Sequence, residues 1–211
     1  MFEAYFKKPT IIHSQNVLQN EFKSDQIYLG SNSEIKLNGR IKLNPNILFS
    51  GQICIGDNCV VESFCHLTDV EVAQNSVIRS NSVIIKAKLG NNNIIGPFCF
   101  IRDDCIVENS CIVGSHVELV RSHLKCGVKI SHQAFVADTY LYDNVIIGAG
   151  TVFCNYDGEQ KQSSVIETGV TVGSGTMIVS PVRIGEYTVI GAGSVITKNI
   201  KSNTVIIQKR K

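Results

Sequence analysis

The hydrophobic positions of this chain keep one step over most of its length. From Leu37 an aliphatic or aromatic residue opens a unit every six residues, with occasional fives: Leu37, Leu43, Phe49, Ile55, Val61 and Leu67, then Val72, Ile78 and Ile84, then Leu89 and each sixth residue to Leu119. The series runs on through Leu124, Ile130, Val136, Leu141, Ile147 and Phe153, skips a polar stretch, and ends as Ile166, Val172, Ile178, Ile184, Ile190 and Ile196. Six fits neither the helical period of 3.6 nor a heptad, so a regular helix is excluded here. An even step keeps one residue of each unit on the same side of a short strand, with turns supplied by Gly, Asn and Asp as in Ile55-Gly56-Asp57-Asn58 and Ile190-Gly191-Ala192-Gly193. Three units close a triangular coil, and each coil buries its openers against the coils above and below. The expected fold is all-β: a parallel β-helix of hexapeptide repeats over residues 37–203, about nine to ten coils long.

Four residues after many openers stands something small: Cys59, Cys65, Ser76, Ser82, Cys99, Cys105, Cys111, Ala134, Thr151, Thr176, Thr188 and Ser194. Five of the eight cysteines fall in this slot and none forms a C-x-x-C pair, so they read as fillers of narrow coil corners and not as metal ligands or disulfides. Residues 1–36 form a lead-in outside the repeat, in which Ser14–Phe22 suggests a short capped helix or a loop over the first coil. Residues 204–211 form a basic tail.

Composition changes this picture little. With 44% hydrophobic residues among 211 the chain can bury a core, and a formal charge of +2 is too small to argue for nucleic acid or an anionic membrane as partner, so neither is expected. No apolar run approaches the roughly 20 residues of a membrane span, and Met1 to Thr10 holds no signal-peptide core. A cytoplasmic protein without membrane insertion is the expectation.

Two features carry candidate chemistry. The repeat breaks between Phe153 and Ile166 for a polar loop, 154–165, with a turn signal at Asp157-Gly158. Insertions in repeat proteins map to one face, often the binding face, although a neutral surface insertion has the same composition. His132 lies two residues after an opener, in a turn, and its ordinary pKa suits a general base. The other histidines do not recur at coil spacing, which weighs against a three-histidine zinc site of the carbonic anhydrase kind.

The run Ile147-Gly148-Ala149-Gly150-Thr151-Val152-Phe153-Cys154-Asn155-Tyr156-Asp157-Gly158, with Lys161 and Val172-Gly173-Ser174-Gly175-Thr176, resembles the acetyltransferase domain of the bifunctional bacterial enzyme that makes UDP-N-acetylglucosamine. The likeness extends from about Leu37 to the C-terminus, and generic hexapeptide-repeat transferases lack the Cys-Asn-Tyr-Asp-Gly loop. It implies a left-handed coil, a homotrimer with sites between subunits, acetyl-CoA as co-substrate, a glucosamine-1-phosphate acceptor and no metal for the acetyl transfer. It also implies His132 as catalytic base, Glu118 as the group that orients it, and Ala149, Asn155, Tyr156, Ser174, Ala192 and Lys209 around the donor. Arg102, Lys161 and Phe135 fall on acceptor positions.

The departures also concern the acceptor. Val120, Phe135 and Ile146 stand where the family has a lysine, a tyrosine and an asparagine. Each charge-assisted hydrogen bond lost is worth on the order of 1.5–3 kcal/mol, so a sugar phosphate should bind more weakly. Arg121 follows Val120, but strand alternation points neighbours to opposite faces. No Gly-rich nucleotide loop lies in Met1 to Gly30, so nucleotide transfer would need a separate uridyltransferase partner. A trimeric scaffold or sugar-nucleotide-binding module that kept the fold and lost the acceptor site, and acetyl transfer to a hydroxyl, are the alternatives.

Overall fold

The computed structural model describes residues 2–13, 27–30 and 33–207, with side chains from residue 27 onward. Among them every regular element is a strand, and the strands stack into a parallel solenoid of about 10 turns. Each turn has three faces. The first runs in register through Val60, Val77, Ile94, Ile112, Lys129 and Ile146. The second runs through Val83, Phe100, Glu118, Phe135, Val152, Met177 and Val195. The third runs through Lys88, Ile106, His123, Tyr140, Val165 and Arg183.

Why six residues make one face follows from the openers. All of them, from Leu37 to Ile196, point into the prism, none more than 5% exposed. Burying each such side chain stabilises the coil by about 1.5–3 kcal/mol. The corners need left-handed backbone, which Asn, Asp and Gly tolerate best, and Asn58, Asn75, Asn92 and Asn144 supply it at φ 59, 58, 59 and 57°. The occasional five-residue steps all fall where the second face turns into the third, at corners with one left-handed residue, Asp69, Lys86, Arg121 or Asp138, while the six-residue step from Ile101 to Val107 carries two, Asp103 and Asp104.

The small slot does more than fill space. Its thiols and hydroxyls donate to main-chain carbonyls of the next coil: Cys59 to Ala73 at 2.9 Å, Cys65 to Arg79 at 3.2 Å, Ser76 to Gly90 at 3.0 Å and Cys111 to Lys125 at 3.1 Å. That shared donor role explains why Cys, Ser and Thr interchange there. All eight cysteines are free, and burial pushes the thiols of Cys65, Cys99, Cys105 and Cys111 up to about 11.

The lead-in holds strands that the periodicity does not predict. β1 (Phe2–His13) runs antiparallel along β3 (Glu34–Leu43), from Phe2 opposite Leu43 to His13 opposite Glu34. β2 (Ile27–Leu29) pairs parallel with the start of β4 (Ile47–Ile55). Together they cover the edge of the first coil, which would otherwise present unpaired N–H and C=O groups. The helix or loop expected over Ser14–Phe22 lies outside the described residues.

Candidate active site

His132 stands on the edge where the first face turns into the second, exposed, just before the left-handed Gln133 (φ 58°). Its Nδ1 accepts from the main-chain N–H of Ser115, one coil below, at 3.1 Å and lies 3.0 Å from the Ser115 hydroxyl. An N–H can only donate, so the neutral ring in this arrangement carries its proton on Nε2. To act as a base at Nε2 the ring must instead carry its proton on Nδ1, donating it to the Ser115 hydroxyl and giving up the contact with the Ser115 N–H. Sequence reasoning missed Ser115, although its separation from His132 equals the coil repeat.

Above His132 the same edge is stripped of side chains. Gly150 N donates to the His132 carbonyl at 2.9 Å, Gly175 N to Ala149 at 2.8 Å and Gly193 N to Ser174 at 2.8 Å, so His132, Ala149, Ser174 and Ala192 follow one another up a single edge. A Cβ added at Gly150, Gly175 or Gly193 would meet nothing within 4 Å, which leaves the flank open. One added at Gly148 or Gly173 would lie 2.4 or 2.3 Å from the main-chain nitrogen of the next coil. Glycine there lets the coils approach.

The second face leads away from His132. In its near column Phe100, Glu118 and Phe135 stand in register, and in its far column Arg102, Val120 and Ala137 do. Arg102 donates from Nε and Nη2 to Glu118 Oε1 at 3.3 and 2.9 Å and from Nη1 to Asp103 at 2.6 Å, with Phe100 under its guanidinium at 5.3 Å. Glu118 therefore engages Arg102, while the His132 ring faces Ser115. Val120 and Ala137 are fully buried yet lie outside the core cluster.

The far edge carries a network. Asp103 Oδ2 also accepts from Arg121 at 3.0 Å. Arg121 in turn grips Asp138 bidentately at 2.6 and 2.9 Å, and Asn155 Nδ2 donates to the same carboxylate at 2.5 Å. Bonding to Arg121 and Asn155 holds the Asp138 carboxyl below its ordinary range. The alternation argument about Arg121 fails for a structural reason: Arg121 is a corner residue at φ 44°, not a strand residue, and its side chain reaches the carboxylate that Arg102 shares.

The insertion is an ordered hairpin. Tyr156 bridges antiparallel to Lys161, Gln162 N donates to Asn155 at 2.6 Å and Tyr156 donates its hydroxyl proton to Gly158 at 2.7 Å. Asp157 accepts from the N–H groups of Glu159 and Gln160 and from the Gln162 amide, which lowers its carboxyl to about 2. Lys161 is exposed at the base of this hairpin, and its charge is felt by Asp138. The structure thus gathers the expected site residues into two groups at opposite ends of the second face. His132, Ala149, Ser174 and Ala192 hold one edge, and Asn155, Tyr156 and Lys161 the other. Lys209 lies outside the described residues.

Comparison with known proteins places this geometry. The family model for the bacterial transferase hexapeptide (six repeats) matches residues 86–121 and 163–198. The bifunctional protein GlmU of Baumannia cicadellinicola is 35% identical over 83% of this chain and 38% of its own length. That of Marinobacter nauticus is 36% identical over 84% and 39%. The chain thus spans about two fifths of the length of the curated relatives it matches. Among solved structures, the UDP-N-acetylglucosamine acyltransferase of Arabidopsis superposes with a TM-score of 0.72 at 15% identity, covering 86% of this chain and 69% of that one. The acyltransferase from Campylobacter jejuni gives 0.54 at 14%, covering 76% and 66%. The chain is a left-handed β-helix of hexapeptide repeats, and it resembles the acetyltransferase domain of the bifunctional GlmU proteins.

Proposed function

We propose that the chain is an acetyl-CoA-dependent N-acetyltransferase acting on an amino sugar in the supply of UDP-N-acetylglucosamine or cell-envelope sugars. The observation that carries this reading is the edge on which His132 leads directly into the bare backbone of Ala149, Ser174 and Ala192. A long, thin donor can lie along such an edge and bring its thioester to the imidazole. The acceptor's amine then attacks the thioester carbonyl, His132 takes the proton released from nitrogen, and a main-chain N–H stabilises the oxyanion. Collapse of the adduct expels the CoA thiolate, which recovers the proton. The Ser115 hydroxyl, 3.0 Å from Nδ1, accepts from Nδ1–H in the tautomer that leaves Nε2 free to take the amine's proton.

The second group of residues supports a homotrimer. Ala149 and Asn155 stand on opposite edges of the second face, so a donor lying along the Ala149 edge of one subunit can meet the 154–165 hairpin of a neighbouring copy. Nothing in this reaction calls for a metal, and the chain works in the cytoplasm.

The test combines calorimetry of acetyl-CoA binding with thiol release across a panel of amino sugars. Binding with turnover that falls about 10²–10⁴-fold in His132→Ala is expected. Full turnover without His132, or no acetyl-CoA binding, refutes the reading. The three apolar positions Val120, Phe135 and Ile146 favour one rival, a scaffold that has lost acetyl transfer, and that rival predicts the second of these results.

A further inference from the structure

The second face between His132 and the hairpin describes its own acceptor. Resting on the acetyltransferase reading above, we infer that the acceptor is an unphosphorylated amino sugar, held by Phe135 and Glu118, and that the Arg102 end of the site rejects a phosphomonoester.

The argument begins with charge. Arg102 and Arg121 bring two guanidinium groups to this face, and Asp103, Glu118 and Asp138 bring three carboxylates, which leaves one net negative charge. Lys161 offsets it, its charge being felt at Asp138. A phosphomonoester carries nearly two negative charges near neutral pH. At Arg102 it would have to displace both Glu118 at 2.9 Å and Asp103 at 2.6 Å, and it would then face an unpaired Glu118 carboxylate and an Asp103 held by Arg121 alone. Arg102's neighbours in its column, Val120 and Ala137, are buried and apolar and offer no other cation.

The near column is suited to a neutral ring. Glu118 stands in register between Phe100 and Phe135, so an aromatic residue lies one coil to either side of it in this column. Binding sites for small molecules combine such apolar surface with a few placed polar groups. Phe135 would take the carbon-rich face of a pyranose, and Glu118 would accept from a hydroxyl or an ammonium. Phe135 lies three residues beyond His132, so a sugar there presents its amine to the imidazole. Asp103 acts through Arg102: by pinning the guanidinium it keeps the phosphate position closed.

The experiment compares glucosamine with glucosamine-1-phosphate on the full chain, in two arms. In the kinetic arm kcat/KM with acetyl-CoA is expected to be at least tenfold higher for glucosamine, and Asp103→Asn is expected to narrow that ratio while sparing turnover of glucosamine. In the binding arm saturation-transfer NMR in the presence of CoA compares the same two sugars, with inorganic phosphate as competitor. Glucosamine contacts that phosphate does not displace are expected. A sugar phosphate that is used or bound more tightly than glucosamine overturns the inference. If neither sugar is acetylated, the acetyltransferase reading fails on this panel, and the binding arm still decides whether the face accepts phosphate.

Discussion

Replacing Asp138 with alanine isolates what the far-edge network contributes. The carboxylate receives three hydrogen bonds, from Arg121 Nε at 2.6 Å, Arg121 Nη2 at 2.9 Å and Asn155 Nδ2 at 2.5 Å. Its side chain is 16% exposed, whereas that of Arg121 is 31% exposed and keeps its contact to Asp103 at 3.0 Å. Each charge-assisted bond is worth about 1.5–3 kcal/mol where it is desolvated, but water and Asp103 recover part of the loss at Arg121. The expected cost of Asp138→Ala is therefore about 2–4 kcal/mol near neutral pH. The sign of its pH dependence follows from the carboxyl being depressed in the folded state. The stabilisation is complete above the unfolded pKa of about 4 and fades as pH falls through the lower folded value, so the difference between variant and parent shrinks in acid. Since stability in a solenoid is largely a nearest-neighbour property, the loss should first appear locally. Urea titration at neutral and acid pH gives the global figure, and hydrogen exchange over residues 154–165 reports the hairpin. A change below about 0.5 kcal/mol with unaltered exchange would refute the account, because Asn155 would then hold the hairpin without Asp138.

Three further outcomes follow from the geometry. The Asp157 carboxyl is expected to titrate by NMR near 2, and the hairpin stabilisation it brings, complete above the unfolded pKa of about 4, is lost as pH falls toward 2; a midpoint near 4 would mean that the three bonds to Asp157 are not formed. Gly173→Ala places a Cβ 2.3 Å from the Ala192 nitrogen and should cost at least about 2 kcal/mol in urea titration, whereas Gly193→Ala, with open space around it, should cost only the strain of its left-handed backbone, about 1 kcal/mol; equal losses would contradict the close coil approach. At pH 8 iodoacetamide should leave Cys65, Cys99, Cys105 and Cys111 unmodified in the folded protein, since burial both shields these thiols and raises them to about 11; mass spectrometry finding them alkylated before unfolding would count against the slot's packing.

What the sequence made legible was whatever repeats with the coil's inner face. The six-residue step of the openers returns as a continuous buried column because side chains at that spacing have one place to go. The five-residue steps were visible as spacing, and the structure places all of them at one corner, where the second face turns into the third. The charge network was also present as spacing, since Arg121, Asp138 and Asn155 are each separated by the coil repeat of 17 residues. It escaped notice because polar corner residues recur everywhere in the chain, and only side-chain geometry distinguishes paired charges from solvated ones. Arg121 was misplaced by a rule valid for strands and invalid at a corner. β1 left no periodic trace because an antiparallel capping strand has no opener to repeat.

Acetyl transfer through His132 is most directly tested in a single turnover with acetyl-labelled CoA and excess glucosamine, with the sugar product analysed by mass spectrometry. The account predicts label on the sugar nitrogen and a rate that falls about 10²–10⁴-fold in His132→Ala. Label left on CoA while both ligands bind, or transfer that is indifferent to His132, would contradict it.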